Sequence, residues 1–200
     1  MERMHDSALA DGAPRIHSLF DRRLASTPGE VFLLAPDRHW SFADLGALVD
    51  RLAKEMRAQG VVAGDRVLVV AENCPEHVAL VLACSRIGAW SCGVNARMSG
   101  GEIRAFIDKA DPRLVYFTPG VSDAAADHAQ AWGAMPSAVQ GLSRTPPRAE
   151  AVAEPAPLAG RVAAVIFTSG TTGTPKGVLV THAGLLQFAG ERAPVGETQQ

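Results

Sequence analysis

The stretch RVLVVAENCPEHVALVLACSRIGAWSCGV, residues 66–94, changes its period twice, and that change decides the fold. RVLVV is a short β-branched run, PEHVALVLACSRIGA spaces its apolar residues as a helix, and WSCGV is extended again. Pro75 suits the helix start, where the first residue needs no N–H donor. Working outward, SGGEIRAFIDKA (99–110) predicts a second helix and RLVYFT (113–118) a third strand. Such a βαβαβ series is usually solved by a parallel sheet covered with helices, so the predicted class is α/β.

Upstream, Ile16, Leu19, Phe20 and Leu24 recur at helical spacing between Pro14 and Ser26. VFLLA and HWSF flank the turn residues PDR and predict a β-hairpin. Ser41 then caps a helix that carries Leu45, Leu48, Val49, Leu52 and Met56 on one stripe and stops at Gly60. Downstream, residues 141–160 hold four prolines and many alanines without either period, and are predicted to form a surface connection, partly extended. RVAAVIF follows as a continuous apolar strand, VLV (178–180) returns as another, and THAGLLQFA (181–189) starts a helix capped by Thr181. The final GERAPVGETQQ is polar and patternless.

With 47% apolar residues, 20% charged residues and a formal net charge of -2, the chain carries no electrostatic footprint for nucleic acid or an anionic membrane. The start MERMHDSALADG has no apolar h-region, so no secretory signal is expected. VALVLACSRIGAW is interrupted by Ser85 and Arg86 and falls short of the ~20 residues that span a bilayer. Cys74, Cys84 and Cys92 are odd in number and lack a CxxC spacing, which suits reduced, buried thiols in a cytoplasm. His5, His17, His39, His77 and His128 form no ligand spacing, and His182 reads as a capping or surface group. Asp65 is expected to organise a turn, and Trp40, Trp90 and Trp132 to pack.

The chemistry concentrates in TSGTTGTPKG, residues 168–177, directly after the apolar strand. Glycines let backbone approach a ligand closely, and inward-turned N–H groups form an anion nest. Thr168, Ser169, Thr171, Thr172 and Thr174 add hydroxyl donors, and Lys176 a mobile positive charge that suits phosphate. The loop differs from the P-loop of NTPases, because Pro175 precedes Lys176 and Gly177 follows it. Proline removes one donor and fixes φ, so the grip must come from a turn and hydroxyls more than from a helix start.

FTSGTTGTPKGVLVTHAGLL (167–186) closely resembles the phosphate-binding signature of the adenylate-forming (AMP-dependent synthetase/ligase) superfamily, which includes acyl-CoA synthetases and nonribosomal adenylation domains. Residues 40–90, with a Gly-Asp-x-Val strand entry and an Asn-x-Pro before the helix, and residues 95–117 look like that family's amino-terminal segments. The resemblance runs from near Leu19 to about Phe188, loosening between Val121 and Leu158. It implies the amino-terminal part of the family's large domain, a mainly parallel sheet with flanking helices, incomplete at residues 1–189 and followed by a divergent tail at 190–200. It implies further that Thr168, Ser169, Gly170, Thr171, Thr172, Thr174 and Lys176 bind ATP phosphates while Gly173 and Gly177 shape the turn.

The implied reaction joins a carboxylic acid to ATP as an acyl-adenylate, with Mg²⁺ balancing phosphate charge and CoA as the usual acceptor. A nonribosomal-type adenylation domain, a bare phosphate-binding module and a subunit completed by a partner chain are the rival readings. The family's aromatic-glycine-x-Thr-Glu segment, ribose aspartate and distal lysine domain do not occur before Gln200, the pattern of a truncated or frameshifted reading or a fragment. No catalytic residue is therefore assigned within the chain, and no appreciable ligase activity is expected of it alone.

Overall fold

A computed structural model describes residues 14–36, 38–168 and 176–191. The chain opens with α1 (Ile16–Ser26), the antiparallel hairpin β1 (Val31–Leu34) and β2 (His39–Ser41), and α2 (Phe42–Ala58). Ser41 caps α2 as its sequence predicts: its Oγ accepts from Asp44 N at 3.1 Å, and the Asp44 carboxylate accepts from Ser41 N at 3.0 Å. The βαβαβ series follows as β3 (Arg66–Ala71), α3 (Pro75–Ile87), β4 (Trp90–Asn95), α4 (Gly100–Ala110) and β5 (Leu114–Phe117). Strand β3 pairs in parallel with both β4 and β5, in the register Val69 with Gly93 and Val69 with Tyr116.

Residues on the two sides of β3 enter two separate cores. Val67, Val69 and Ala71 pack with α2 and α3, and Leu68 and Val70 pack with α4 and with α5 (Asp123–Ala131). Both faces are covered, which is why these strands read as continuous apolar runs.

Two parts of the chain carry more structure than their sequence announces. α5 buries only Ala125 and Ala129, so it presents no stripe of large apolar residues to read, although Ser122 caps it by accepting from Ala125 N at 3.3 Å. The 141–160 connection is corrected from a surface link to a partly internal one. It contributes β7 (Ser143–Arg144), which pairs antiparallel with β5 and with β6 (Met135–Pro136), and it buries Leu142, Arg144, Thr145 and Ala151. Arg144 is tolerated inside because its Nε donates to Glu55 at 2.9 Å. Glu55 also accepts from Tyr116 Oη, Ser137 Oγ and Ala138 N, which fixes the β6–β7 edge to α2.

From β7 the chain must reach the opposite side of the sheet, and it does so along the amino ends of the strands. Arg113 donates to the carbonyls of Arg148, Ala149 and Ala151, and Arg66 to the carbonyl of Val152 and the carboxylate of Glu154. Trp90 Nε1 then donates to Ala159 O at 3.2 Å as the chain enters α6 (Leu158–Arg161) and β8 (Val162–Thr168). β8 pairs in parallel with β4, β9 (Lys176–Thr181) returns antiparallel, and α7 (His182–Glu191) follows. The sheet order is β6-β7-β5-β3-β4-β8-β9.

Asp65 organises the turn into β3, as expected, by accepting from Val62 N at 2.8 Å, and it also pairs with Arg113. Gly64 beside it has φ +85°, exchanges backbone hydrogen bonds with Glu154 and Gly88, and leaves no room for a Cβ against the Glu154 carbonyl oxygen. Gly64→Ala should cost more than the roughly 1–3 kcal/mol of backbone strain alone, because the connection must also move. Gly60→Ala, at φ +78° with open space around it, should cost the strain only. Urea unfolding midpoints of the two variants decide this, and equal losses would contradict it.

Candidate functional site

β3 is followed by α3 and β4 on one side, and β4 by α4 and β5 on the other, so the strand order reverses between β3 and β4. In open α/β sheets a ligand crevice forms outside the carboxyl ends of the strands at such a reversal. A cleft of about 520 Å³ lies there, lined by Glu72, Asn73 and His77 after β3 and by Gly93, Asn95 and Arg97 at the end of β4. Arg97 donates through Nη2 and Nε to Glu72 Oε2 at 2.6 and 3.0 Å, and this contact holds the Glu72 carboxyl below its usual range. The turn bearing Arg97 is braced twice more. Asn95 Oδ1 accepts from Arg97 N at 2.9 Å, and His128 Nε2 lies 3.0 Å from the carbonyls of both Ala96 and Met98.

His77 lies over Gly93, where an added Cβ would approach its Nε2 to 3.0 Å. Burial lowers the His77 pKa and favours the neutral ring. None of these residues was singled out from sequence as a site. The signal available was their position immediately after two apolar strands, but the reversal that makes those ends meet is a property of strand order.

The predicted phosphate loop spans β8 and β9. Thr168 pairs with Lys176 in the register, and its Oγ1 lies 3.5 Å from Lys176 O, so the ladder closes at these two residues. Both side chains are exposed. Gly177 pairs with Phe167, and a Cβ there would meet Val165 Cγ1 at 3.1 Å, tight enough to favour glycine. Ser169, Gly170, Thr171, Thr172, Gly173 and Thr174 lie outside the described residues. The parallel register of β4 with β8 runs to Gly93 and Ile166, two residues short of the strand ends at Asn95 and Thr168. With strands ~4.8 Å apart, the loop base and the cleft are neighbours at one sheet edge.

His182 requires a correction. It was expected as a capping or surface group, and it does cap, but from inside: it is only 4% exposed, and its Nδ1 accepts from Ile16 N at 3.3 Å at the start of α1. The packing of α1 against the start of α7 is long-range and leaves no trace in the local pattern. Burial, with smaller contributions from Arg15 and His17, lowers the His182 pKa to about 4. Cys84 and Cys92 are buried as expected, and Cys74 is half-buried with its thiol pushed up to about 11 by burial. Among the described residues no three His, Cys, Asp or Glu side chains converge as metal ligands. No helix among them is long and apolar enough to cross a membrane.

With the fold and the loop base in view, comparison with known proteins defines the class. Residues 20–199 match the model of the AMP-binding enzyme family, and the chain belongs to that family of ATP-dependent adenylating ligases. It is 31% identical over 180 residues to an indoleacetate–CoA ligase of Aromatoleum aromaticum, covering 82% of this chain and 34% of the ligase. It is 34% identical over 148 residues to the fatty acid–[acyl-carrier-protein] ligase MmaC of Mycobacterium marinum, covering 70% of this chain and 28% of that protein. A probable non-canonical nonribosomal peptide synthetase of Salinispora arenicola, CymA, matches as well, at 32% identity over 184 residues, covering 92% of this chain and 2% of that protein. The fold is that of the amino-terminal domain of FACL13 from Mycobacterium tuberculosis, at 22% identity and a TM-score of 0.60 over 84% of this chain and 44% of that one. The chain thus spans about a third of the length of the curated relatives it matches.

The lowered pKa of His182 has a definite sign. A histidine depressed from 6.5 to about 4 contributes stability that is complete above pH 6.5 and is lost as pH falls toward 4. Thermal melting should therefore weaken over that window, and His182→Asn, which keeps an acceptor but does not titrate, should flatten the dependence. Parallel curves for the two proteins would rule out His182 as the source.

Proposed function

We propose that this chain supplies the amino-terminal, phosphate-binding part of an AMP-forming acid–thiol ligase, with residues 1–189 as a partial large domain and 168–177 as its ATP-phosphate loop. The observation that carries the reading is the closure of the β8–β9 hairpin at Thr168 and Lys176, at the carboxyl edge of the sheet, in a member of an adenylating family. In the reaction a carboxylate oxygen attacks the α-phosphorus of ATP, the bond to the β-phosphate oxygen breaks, and pyrophosphate leaves. The acceptor thiol then attacks the acyl carbon and releases AMP.

In this proposal Lys176 neutralises oxygens of the leaving pyrophosphate, and Thr168, Ser169, Thr171, Thr172 and Thr174 donate hydrogen bonds to them. Gly170, Gly173 and Gly177 allow the close backbone approach. Such a loop works by position and electrostatics, stabilising charge that builds on the leaving group. The described residues do not form a resident Mg²⁺ site, so the ion is written here as part of the MgATP substrate. CoA is the acceptor in this reading. A carrier protein is the second reading, favoured by the similarity to an acyl-carrier-protein ligase.

Isothermal titration of MgATP into the full chain tests the loop. Lys176→Ala should weaken binding at least tenfold, as expected for a charge-assisted contact worth about 1.5–3 kcal/mol, without lowering the melting temperature. Unchanged affinity would remove Lys176 from the site. The 200-residue chain alone should give no appreciable ATP–pyrophosphate exchange, and robust turnover would show that it needs no further segment.

A further inference from the structure

The sheet edge opposite the β8–β9 hairpin is formed by β6 and β7, and α2 is tied to it through Glu55. Between them lies an open cavity of about 630 Å³. Arg51, Lys54, Glu55 and Ala58 stand one turn or less apart along one face of α2 and line it from one side, and Arg144 of β7 lines it from the other. Its lining holds three cationic side chains, Arg51, Lys54 and Arg144, against one carboxylate, Glu55.

That carboxylate is already spent. Glu55 Oε1 accepts from Ala138 N at 3.0 Å and Arg144 Nε at 2.9 Å, and Oε2 from Tyr116 Oη at 3.1 Å and Ser137 Oγ at 2.6 Å. Two donors on each oxygen fill the acceptor positions of a carboxylate. Burial acts to raise the Glu55 pKa, and these donors outweigh it and hold the group below its usual range, so the charge is fixed in place. The carboxylates that flank the two α2 cations in sequence are both engaged, Asp50 by Arg86 and Glu55 by Arg144. Neither Arg51 nor Lys54 has a salt bridge among the described residues, although like charges one turn apart on a helix repel each other. Arg144 is only 9% exposed; its Nε serves Glu55 and its Nη1 the carbonyl of Thr145 at 3.2 Å, while Nη2 has no acceptor among the described residues. A buried guanidinium with a free N–H group and two unpaired cations thus share one cavity.

We propose that this cavity binds a phosphoryl dianion, whose oxygens accept from Arg51, Lys54 and Nη2 of Arg144, with any organic remainder lying on Ala58, Pro136 and Ala138. Charge complementarity selects the class: the lining leaves two positive charges unbalanced, a phosphate monoester carries about −1.5 to −2 at neutral pH, and guanidinium groups suit phosphate oxygens. The volume exceeds what a bare anion needs and falls in the range of about 300–1,000 Å³ typical of small-molecule sites. This orientation also puts the uncharged remainder at the carboxyl end of α2, where the helix dipole would oppose an anion. The site is distinct from the loop at 168–177, since β6 and β9 are the two edges of the sheet and, at ~4.8 Å per strand, stand roughly 30 Å apart. It requires no ATP, so it stands or falls independently of the function proposed above.

Calorimetric titration of the full chain with phenyl phosphate, at about pH 8 and without ATP, tests the site, because the ester is then a dianion. Saturable binding is expected, at least tenfold tighter than that of benzenesulfonate, which has the same ring and a single charge. The double variant Arg51→Gln, Lys54→Gln should weaken phenyl phosphate at least tenfold without lowering the melting temperature, as both side chains are exposed. Arg57→Gln, which removes an exposed cation of α2 outside the cavity, and Lys176→Ala should leave the affinity unchanged. A parallel titration with inorganic phosphate separates the sources: tighter phenyl phosphate assigns an ester as the occupant, equal affinity assigns free phosphate, and both sustain the site. The proposal is overturned if neither phosphate binds saturably, if benzenesulfonate binds as tightly, if the double variant has no effect, if Arg57→Gln weakens binding as much, or if Lys176→Ala abolishes it.

Discussion

Two guanidinium groups at one edge of the sheet determine where the rest of the molecule goes. β8 lies beside β4, yet the chain approaches it from β7, on the far side of β5 and β3. The chain runs along the amino ends of the strands and so leaves both helical layers intact. Backbone laid there forfeits ladder hydrogen bonds, and a buried carbonyl without a donor is costly. Arg113 and then Arg66 supply those donors in sequence, five planar N–H groups each, to carbonyls that no strand could reach. Asp65 and Glu154 balance the charge. A lysine in either place would offer a point charge without the fork that serves several carbonyls at once.

The parts of this architecture that were legible in the sequence are those whose physics is local. The Ser41 cap, Pro75 at a helix start, the β-branched run at Val67–Val70 and the hairpin around PDR all announce themselves within a turn or two of chain. α5 escaped because alanines at 125 and 129 bury without a stripe of larger residues. β7 escaped because two residues leave no period at all. The connection at 141–160 looked like surface because prolines and alanines fit there, and its burial depends on Arg66 and Arg113, more than thirty residues upstream.

The candidate site divides along the same line. Thr168, Lys176 and Gly177 could be named from composition and resemblance, since a glycine- and hydroxyl-rich segment after an apolar strand has a chemical meaning wherever it folds. Glu72, Asn73, Asn95 and Arg97 could not, because each is an ordinary polar residue until strand order brings two strand ends together. The burial of His182 was not legible for a related reason: the helix it caps, α1, sits 166 residues earlier in the chain.

The crossing along the amino edge also constrains the order in which the molecule assembles. β3, α3 and β4 meet through neighbouring sequence, and β8 with β9 forms a hairpin by itself, but the β4–β8 seam joins residues such as Cys92 and Val165 that are far apart in the chain. Closing so long a loop before any contact rewards it is entropically unfavourable. The β8–β9 hairpin would therefore dock last, once the strap along the amino ends of the strands had been laid, and Ile166, Val178 and Leu179 stay exposed even after it docks.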